Sequence, residues 1–490
     1  MSVLGKKKDA KSILFKRTGI FSEYEFNKNF SENFLADKGQ TLSDDNLKKA
    51  DDFWERQRTE PLSETEQNVY KMVGELEQVP KFKRIVKLVE ILESGYINAW
   101  NSIDFGDIYS VYGNNEVEGD RIRAGARTYF SPNDMWRIAG YTAYGFKDQK
   151  LKYGLEGRYM FNRNNRATVG FGSRNDVIQL GAQLMNDDGI MTRSFASSSV
   201  FSSGTNASLS LVKQNSFFFS LEPVKNFEVR MDASLQNIKS ANPEKFNLGF
   251  YKNDQLKSEL KDFHTTFSLI ARPGAKYSQY GVDRYAFTTL SPTFVLKFTH
   301  GFENVLDGDF DYNKLQFLYS QPVVVGNLGR SVINFEAGKN FSTVPLALQN
   351  IIPGNQSYSL VPNTFALLKY YEFVADAYTT LNYEHHFQGK ILAHIPLIKK
   401  LKFRELIFLR GAYGTLSESS KNINFESTKY SAPDQQIYYE YGFGLENIGF
   451  GNLRILRVDF NWRGNYLDRP DVSKFGVKFC GVFEASIGTK

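Results

Sequence analysis

Residues 456–463 read LRVDFNWR, in which apolar side chains alternate with polar ones along the whole segment. Because successive side chains of a β-strand point to opposite faces, this pattern gives a strand one apolar and one charged face. The same alternation recurs in segments 119–130, 136–146, 151–161, 227–236, 437–446 and 475–487. The chain from residue 101 onward is therefore predicted to be all β.

The predicted strands are long, about 10–14 residues, whereas strands in soluble proteins average about 5–6 and membrane-spanning strands need about 9–11. Aromatic side chains gather at strand ends, among them Trp136, Phe161 and Trp462, which is typical of the aromatic girdles of membrane barrels. Some connections are short, and others, near 183–205, 240–258 and 340–366, are long. These features predict an antiparallel transmembrane β-barrel of about 16 strands over residues 101–490.

Composition excludes several other classes of protein. The chain has 490 residues, and 60 Lys+Arg against 54 Asp+Glu give a net charge of only +6, so a nucleic-acid-binding protein is not expected. No stretch approaches the roughly 18 apolar residues of a membrane helix. The one cysteine, Cys480, excludes an intrachain disulfide and a zinc cluster built from thiolates. The five histidines limit metal or histidine-based chemistry, and no cofactor is expected.

Residues 1–100 are polar and contain helical patterns, which predicts a helical or irregular periplasmic segment before the barrel. Ser63 and Glu66 match a capping box, and apolar stripes with helical spacing follow on both sides of Pro80. A further short helix is predicted over 47–56. Packing against a neighbouring element explains the stripes best, and an amphipathic helix on a membrane surface is the alternative.

Three segments carry a family resemblance. They are Phe53–Arg58 with Pro61–Glu66, Tyr112–Arg121 with Gly125–Thr128, and Glu384–Phe387 with Ile395–Leu397. In these segments the chain resembles a family of uncharacterised bacterial outer-membrane proteins. Members usually carry an N-terminal carboxypeptidase-regulatory-like domain, then helices, then a barrel similar to that of the BamA-type assembly-factor superfamily. No secretory signal is evident in Met1–Arg17, so the resemblance implies a C-terminal fragment of a longer, outer-membrane precursor.

Charged residues at alternate strand positions are candidates for a network inside the barrel, where salt bridges would fix strand register. The set consists of Glu118, Arg121, Arg123, Arg127, Glu384, His386, Glu440, Arg457 and Asp459.

No catalytic or metal-binding residue is assigned. On a strand, Glu384 and His386 share one face while His385 points to the other, so the two histidines do not converge on one metal ion. Asp307, Asp309 and Asp311 alternate as in calcium loops, but an EF-hand would place Gly where Tyr312 stands and Glu where Leu318 stands.

The function predicted from these observations is non-enzymatic: assembly, export or surface organisation in the outer membrane. The expected partners are outer-membrane lipid and periplasmic or outer-membrane proteins. A diffusive or substrate-selective channel is the alternative, and a barrel hydrolase is the third hypothesis.

Overall fold

The computed structural model describes residues 61–99, 102–131, 134–185, 206–286, 290–426, 429–450, 453–469 and 471–481, together with isolated positions at 26–29, 53, 56, 197 and 199. The helix predicted over 47–56 lies outside the described residues except at positions 53 and 56. The end of the last predicted strand, beyond residue 481, also lies outside them.

Two helices precede the sheet. Helix α1, Glu64–Gln78, begins with the predicted capping box: the Glu66 carboxylate accepts a hydrogen bond from the Ser63 backbone N–H at 2.9 Å. Helix α2, Pro80–Ser94, begins at Pro80, whose missing N–H costs nothing in a first turn, and ends at Gly95, where φ is 75°. A short third helix, α3, spans Glu418–Asn422.

The apolar stripes of α1 and α2 are largely exposed. Met72 is 58% exposed on α1, and Ile85 and Leu88 are 51% and 52% exposed on α2. Both predictions for these stripes, packing against a neighbouring element and contact with a membrane surface, stay predictions. No helix in the described part of the chain is long and apolar enough to cross a membrane.

One antiparallel sheet of 18 strands makes up most of the described chain. Its three short first strands are β1 Tyr96–Ala99, β2 Ile103–Gly106 and β3 Tyr112–Asn115. The next strands are β4 Gly119–Thr128, β5 Trp136–Gly145, β6 Lys150–Asn162, β7 Ala167–Ile178, β8 Ser210–Val224, β9 Phe227–Ser240, β12 Glu259–Ala271 and β15 Thr293–Gly301. The remaining strands are β16 Tyr312–Val325, β17 Gly329–Asn340, β20 Ala377–His386, β21 Arg404–Thr415, β22 Tyr438–Phe450, β23 Leu453–Arg463 and β24 Phe475–Gly481.

Three small two-stranded sheets lie within the connections between these strands. They pair β10 Phe250–Lys252 with β11 Gln255–Lys257, β13 Tyr277–Tyr280 with β14 Asp283–Ala286, and β18 Asn350–Ile351 with β19 Val374–Ala375.

From β4 onward each strand of the main sheet pairs with the next one along the chain, while β2 and β3 share the other edge of β4. Residues 107–111 leave the ladder in a 3₁₀ turn at Ile108–Ser110, which separates β2 from β3. Within the described residues no ladder joins β24 to the first strands. Closure of the barrel and its number of about 16 strands therefore stay predictions.

The outer edge of β24 is instead covered by a loop segment. Phe479 donates its backbone N–H to the Tyr358 carbonyl at 2.9 Å, and Leu360 donates its N–H to the Phe479 carbonyl at 2.8 Å. Ser359 and Phe479 thus form a parallel bridge. The backbone N–H and carbonyl of Phe479 on this edge are therefore satisfied by the same chain.

Burial along the strands is the reverse of that in a soluble sheet. On β23, Arg457 and Asp459 are 7% and 0% exposed, whereas Leu456 is 47% exposed. On β6, Lys152 and Glu156 are buried, and Leu151, Tyr153 and Leu155 are exposed. We call the covered, charged side of the sheet the interior face and the exposed, apolar side the exterior face.

Residues of the alternating segments 227–236, 437–446 and 456–463 follow this division. The apolar set, exposed or half-buried on the exterior face, comprises Phe227, Val229, Met231, Tyr439, Tyr441, Val458 and Phe460. The polar set, buried or half-buried on the interior face, comprises Arg230, Asp232, Glu440, Arg457 and Asp459.

The exterior apolar residues form a continuous band with a polar border. Strand register aligns one apolar row across five strands: Phe219, Met231, Phe267, Phe298 and Leu315. Farther along the same strands the exterior row is polar and consists of Lys213, Asn237 and Lys261. On β9 the apolar part covers 227–235, a length that matches the roughly 9–11 residues needed to span a bilayer.

Antiparallel connection places alternate loops at opposite ends of the sheet. The short connections 163–166, 225–226, 326–328 and 451–452 lie at one end, which we call the short-turn end, together with the longer connections 272–292 and 387–403. The connections 179–209, 241–258, 302–311, 341–376, 416–437 and 464–474 lie at the other, the long-loop end. The three long connections expected from the sequence all belong to the long-loop end.

Candidate functional site on the interior face

Residues 341–376, the connection between β17 and β20, fold onto the interior face, and we call them the inserted loop. In one apolar cluster the loop residues Val344, Leu346 and Ile351 are buried with Val212 of β8 and Leu260 of β12. The loop therefore packs against strands in the middle of the sheet.

A second apolar cluster joins the loop to later strands. Ile352, Phe365 and Phe373 are packed with Tyr378 of β20 and Tyr438 of β22. Aromatic edge-to-face contacts contribute here, with the Phe365 and Tyr438 rings 5.4 Å apart. Elsewhere in the loop, burial raises the pKa of the Tyr371 phenol.

Charged side chains of the last strands hold the backbone of the inserted loop. Glu440, which is 0% exposed, accepts hydrogen bonds from the Ala366 and Leu367 backbone N–H groups at 2.8 and 2.9 Å. Tyr438 donates its hydroxyl to the same carboxylate at 2.7 Å. Three donors on one carboxylate offset the cost of burying its charge.

Two cations complete this anchorage. Lys478 of β24 donates to the Asn355 and Ser357 carbonyls at 2.7 and 2.5 Å. Arg463 of β23 pairs with Glu372 at 2.7 Å. Residues of three consecutive strands therefore bind the loop, and Lys478 does so beside the segment that covers the edge of β24.

A first charged cluster lies near the start of the sheet. Arg121, which is 1% exposed, donates to Glu118 at 2.8 Å and, through two nitrogens, to Asp176 at 2.8 and 3.0 Å. Lys152 pairs with Glu118 at 2.7 Å. Tyr141 donates its hydroxyl to Asp176 at 2.8 Å. The cluster joins β4, β6 and β7, so its ion pairs hold the register of these strands.

The other two arginines of β4 have different partners. The Arg123 guanidinium lies 3.8 Å from the centre of the Tyr141 ring, a cation–π arrangement. Arg127 pairs with Asp104 of β2 at 3.1 Å and covers the Tyr96 ring.

A second charged cluster lies across β20–β23. Arg457 donates to Asp459 at 2.7 Å and to Glu384 at 3.1 Å. His386 Nδ1 lies 3.2 Å from a Glu446 carboxylate oxygen. Arg410 lies 3.5 Å from Glu384. His385 points to the other face, where its Nδ1 lies 2.8 Å from the Ser331 hydroxyl.

The nine residues proposed from the sequence thus do not form one network. Glu118 and Arg121 belong to the first cluster, with Arg123 stacked beside it, and Arg127 forms a separate pair. Glu384, His386, Arg457 and Asp459 meet in the second cluster, and Glu440 binds the inserted loop, 4.0 Å from Arg410. Sequence reasoning missed Asp104, Asp176, Arg410, Glu446 and Lys478, although Asp176 occupies an alternate position two residues after Arg174.

A cavity of about 270 Å³ lies between the interior face and the inserted loop. Among its lining residues, His264 Nδ1 lies 2.6 Å from Asp262, and Tyr312 donates its hydroxyl to the other oxygen of that carboxylate at 3.2 Å. In the described part of the chain no group of His, Cys, Asp and Glu is arranged to hold a metal ion. Asp309, from the acidic loop, binds Lys257 at 2.6 Å.

Removing the carboxylate that binds the loop is expected to release the loop. Glu440→Ala leaves the Ala366 and Leu367 N–H groups without their acceptor, so the inserted loop should become accessible to trypsin at Lys369, which is exposed. Glu440→Gln keeps one acceptor oxygen and should give intermediate cleavage. Limited proteolysis of folded protein measures this, and equal resistance of all three forms would contradict an anchoring role.

Comparison with known proteins finds similar solved structures and one matching protein family. The chain is similar to BamA from Haemophilus ducreyi lacking POTRA domains 1–3, with 12% identity and a TM-score of 0.42, covering 77% of this chain and 70% of that one. It is also similar to CdiB from Acinetobacter baumannii, with 12% identity and a TM-score of 0.38, covering 75% of this chain and 57% of that one. No curated protein sequence matches the chain.

At these TM-scores neither structure adds to the fold assignment, which rests on the strand pairing of the chain itself. The match to a protein family covers residues 93–445, well over half of the chain, and includes α2 only at its end and the sheet through most of β22. The chain belongs to the family described as the C-terminal domain of a family of unknown function, DUF5686.

Proposed function

We propose that this chain forms a β-barrel in the bacterial outer membrane and acts there in envelope protein assembly, export or surface organisation. One observation carries the membrane part: the exterior face is a continuous apolar band with a polar border, and the covered face is charged. Apolar side chains at this exposure are costly in water and favourable in lipid. The short-turn end would face the periplasm and the long-loop end the outside.

The occupied interior favours a role in assembly or organisation over that of a diffusive channel. The inserted loop fills space with two apolar clusters, and residues of three strands hold it. A diffusive channel would leave such a space to water. The charged side chains of the two clusters pair with one another, and those of the last strands bind the loop. The proposal therefore includes no catalytic activity.

Location is tested on full-length protein in its native envelope. We expect it in the outer-membrane fraction, where the folded form migrates faster on a gel before heating than after, because a closed sheet resists detergent until it is boiled. Folded protein recovered from the soluble fraction would contradict the membrane assignment.

The role in the membrane is tested by depletion. If the protein acts in assembly or export, depletion should lower the amounts of other outer-membrane or surface proteins, and wild-type protein should restore them. The Glu440→Ala form tests whether the anchored loop is needed. An unchanged outer-membrane proteome, together with steady ion conductance of the purified protein in planar bilayers, would favour the channel instead.

A further inference from the structure

Residues 387–403 connect β20 to β21 at the short-turn end, and we call them the basic loop. Its apolar side chains are exposed: Ile391 is 52%, Ile395 41%, Leu397 80% and Leu401 47% exposed. Most other connections at this end are short turns, so a long apolar connection here calls for a physical explanation. Exposed apolar surface in one segment marks an interaction site.

The charge of the basic loop has one sign. Lys390, Lys399, Lys400 and Lys402 are all exposed, and residues 387–403 contain no aspartate or glutamate. Apolar side chains flanked by lysines are typical of segments that lie at a membrane–water interface, where lysines reach the phosphate groups and the apolar side chains enter the acyl region.

The basic loop is folded rather than extended. Glu405 accepts hydrogen bonds from the Ile391 and Leu392 backbone N–H groups at 2.8 and 3.3 Å. The Asn447 side chain donates to the Lys402 carbonyl at 2.6 Å, and Arg454 donates to the Leu401 carbonyl. The apolar side chains are therefore presented by a held backbone, so little further ordering would be needed on binding.

The loop is also continuous with the exterior apolar band. It joins two strands whose exterior residues Leu381, Ile407 and Leu409 are 45%, 45% and 49% exposed. Lipid that covers the band at the short-turn end therefore comes up to the base of the loop. This continuity, with the charge of the loop, indicates lipid rather than a protein as its partner.

We propose that the basic loop is a membrane-surface anchor that binds anionic phospholipid in the leaflet at the short-turn end. The proposal rests on the proposed barrel function, since only a membrane-spanning sheet brings this loop to a leaflet. Leu397 and Leu401 enter the interface, and Lys399, Lys400 and Lys402 bind lipid phosphate groups. The anchor limits the tilt and depth of the barrel on its periplasmic side.

The test uses full-chain protein folded into vesicles of phosphatidylcholine, with or without phosphatidylglycerol. In a Cys480→Ser background, Leu397→Cys is labelled with an environment-sensitive fluorophore. Brominated phospholipid should remove most of its fluorescence, and aqueous iodide little. Phosphatidylglycerol should increase the lipid quenching, and changing Lys399, Lys400 and Lys402 together to Gln should abolish that increase.

Two matched positions make the result decisive. Asn164→Cys lies in an exposed turn at the same end and should be quenched mainly by iodide. Leu409→Cys lies in the apolar band and should be quenched by brominated lipid. If Leu409 is quenched by lipid while Leu397 behaves like Asn164, or is shielded from both quenchers, the anchor proposal is overturned. If brominated lipid does not quench the label on Leu409→Cys either, the proposal of a membrane barrel is itself overturned.

Discussion

Arg121→Met is expected to lower the free energy of unfolding by about 3–5 kcal/mol, the usual cost of removing one partner from a buried ion pair. Arg121 is 1% exposed, and its loss leaves the carboxylates of Glu118 and Asp176 without their main counter-charge. Lys152 remains beside Glu118, so most of the cost should arise at Asp176. Urea titration of protein refolded in phospholipid vesicles measures the change.

The control for this experiment is an ion pair of similar length on the surface. Lys245 lies 2.6 Å from Glu116 but is 62% exposed, so Lys245→Met should change the free energy of unfolding by about 0–1 kcal/mol. Equal effects of the two substitutions would mean that the interior face is solvated like the outer surface, and the first cluster would then have no special role in holding the register of β4, β6 and β7.

The second large effect is expected on the exterior face. Met231 is 55% exposed in the middle of the apolar part of β9, and Met231→Arg should lower the free energy of unfolding in vesicles by about 2–4 kcal/mol, the cost of Arg at the midplane of a bilayer. Gln236 lies on the interior face of the same strand, beside the cavity, and Gln236→Arg should cost much less.

The pair Met231 and Gln236 separates the membrane barrel from a soluble sheet. In a soluble sheet an arginine on an exposed face is nearly neutral, and one beside a packed loop is costly. The reverse order of the two costs, measured on the same refolded protein, would therefore contradict the membrane assignment. That result would not contradict the strand pairing.

The local pattern of the chain determined the β architecture and the two faces of each strand. Because the side-chain direction alternates with every residue of an extended backbone, LRVDFNWR alone assigns Arg457 and Asp459 to one face and Val458 and Phe460 to the other. The capping box at Ser63 is equally local. The resemblance in Tyr112–Arg121 and Glu384–Phe387 agrees with the family match, whereas the implied regulatory-like domain and longer precursor stay predictions.

Only the tertiary structure decided which charges meet and where the chain turns inward. Arg121 pairs with Asp176 across 55 residues of sequence because β4 and β7 present these positions at the same height, which depends on strand register. Glu440 binds a backbone 73 and 74 residues away because the inserted loop folds onto the interior face. Alternation specifies a face and carries no information on register or loop path, since both are set by contacts between segments distant in sequence.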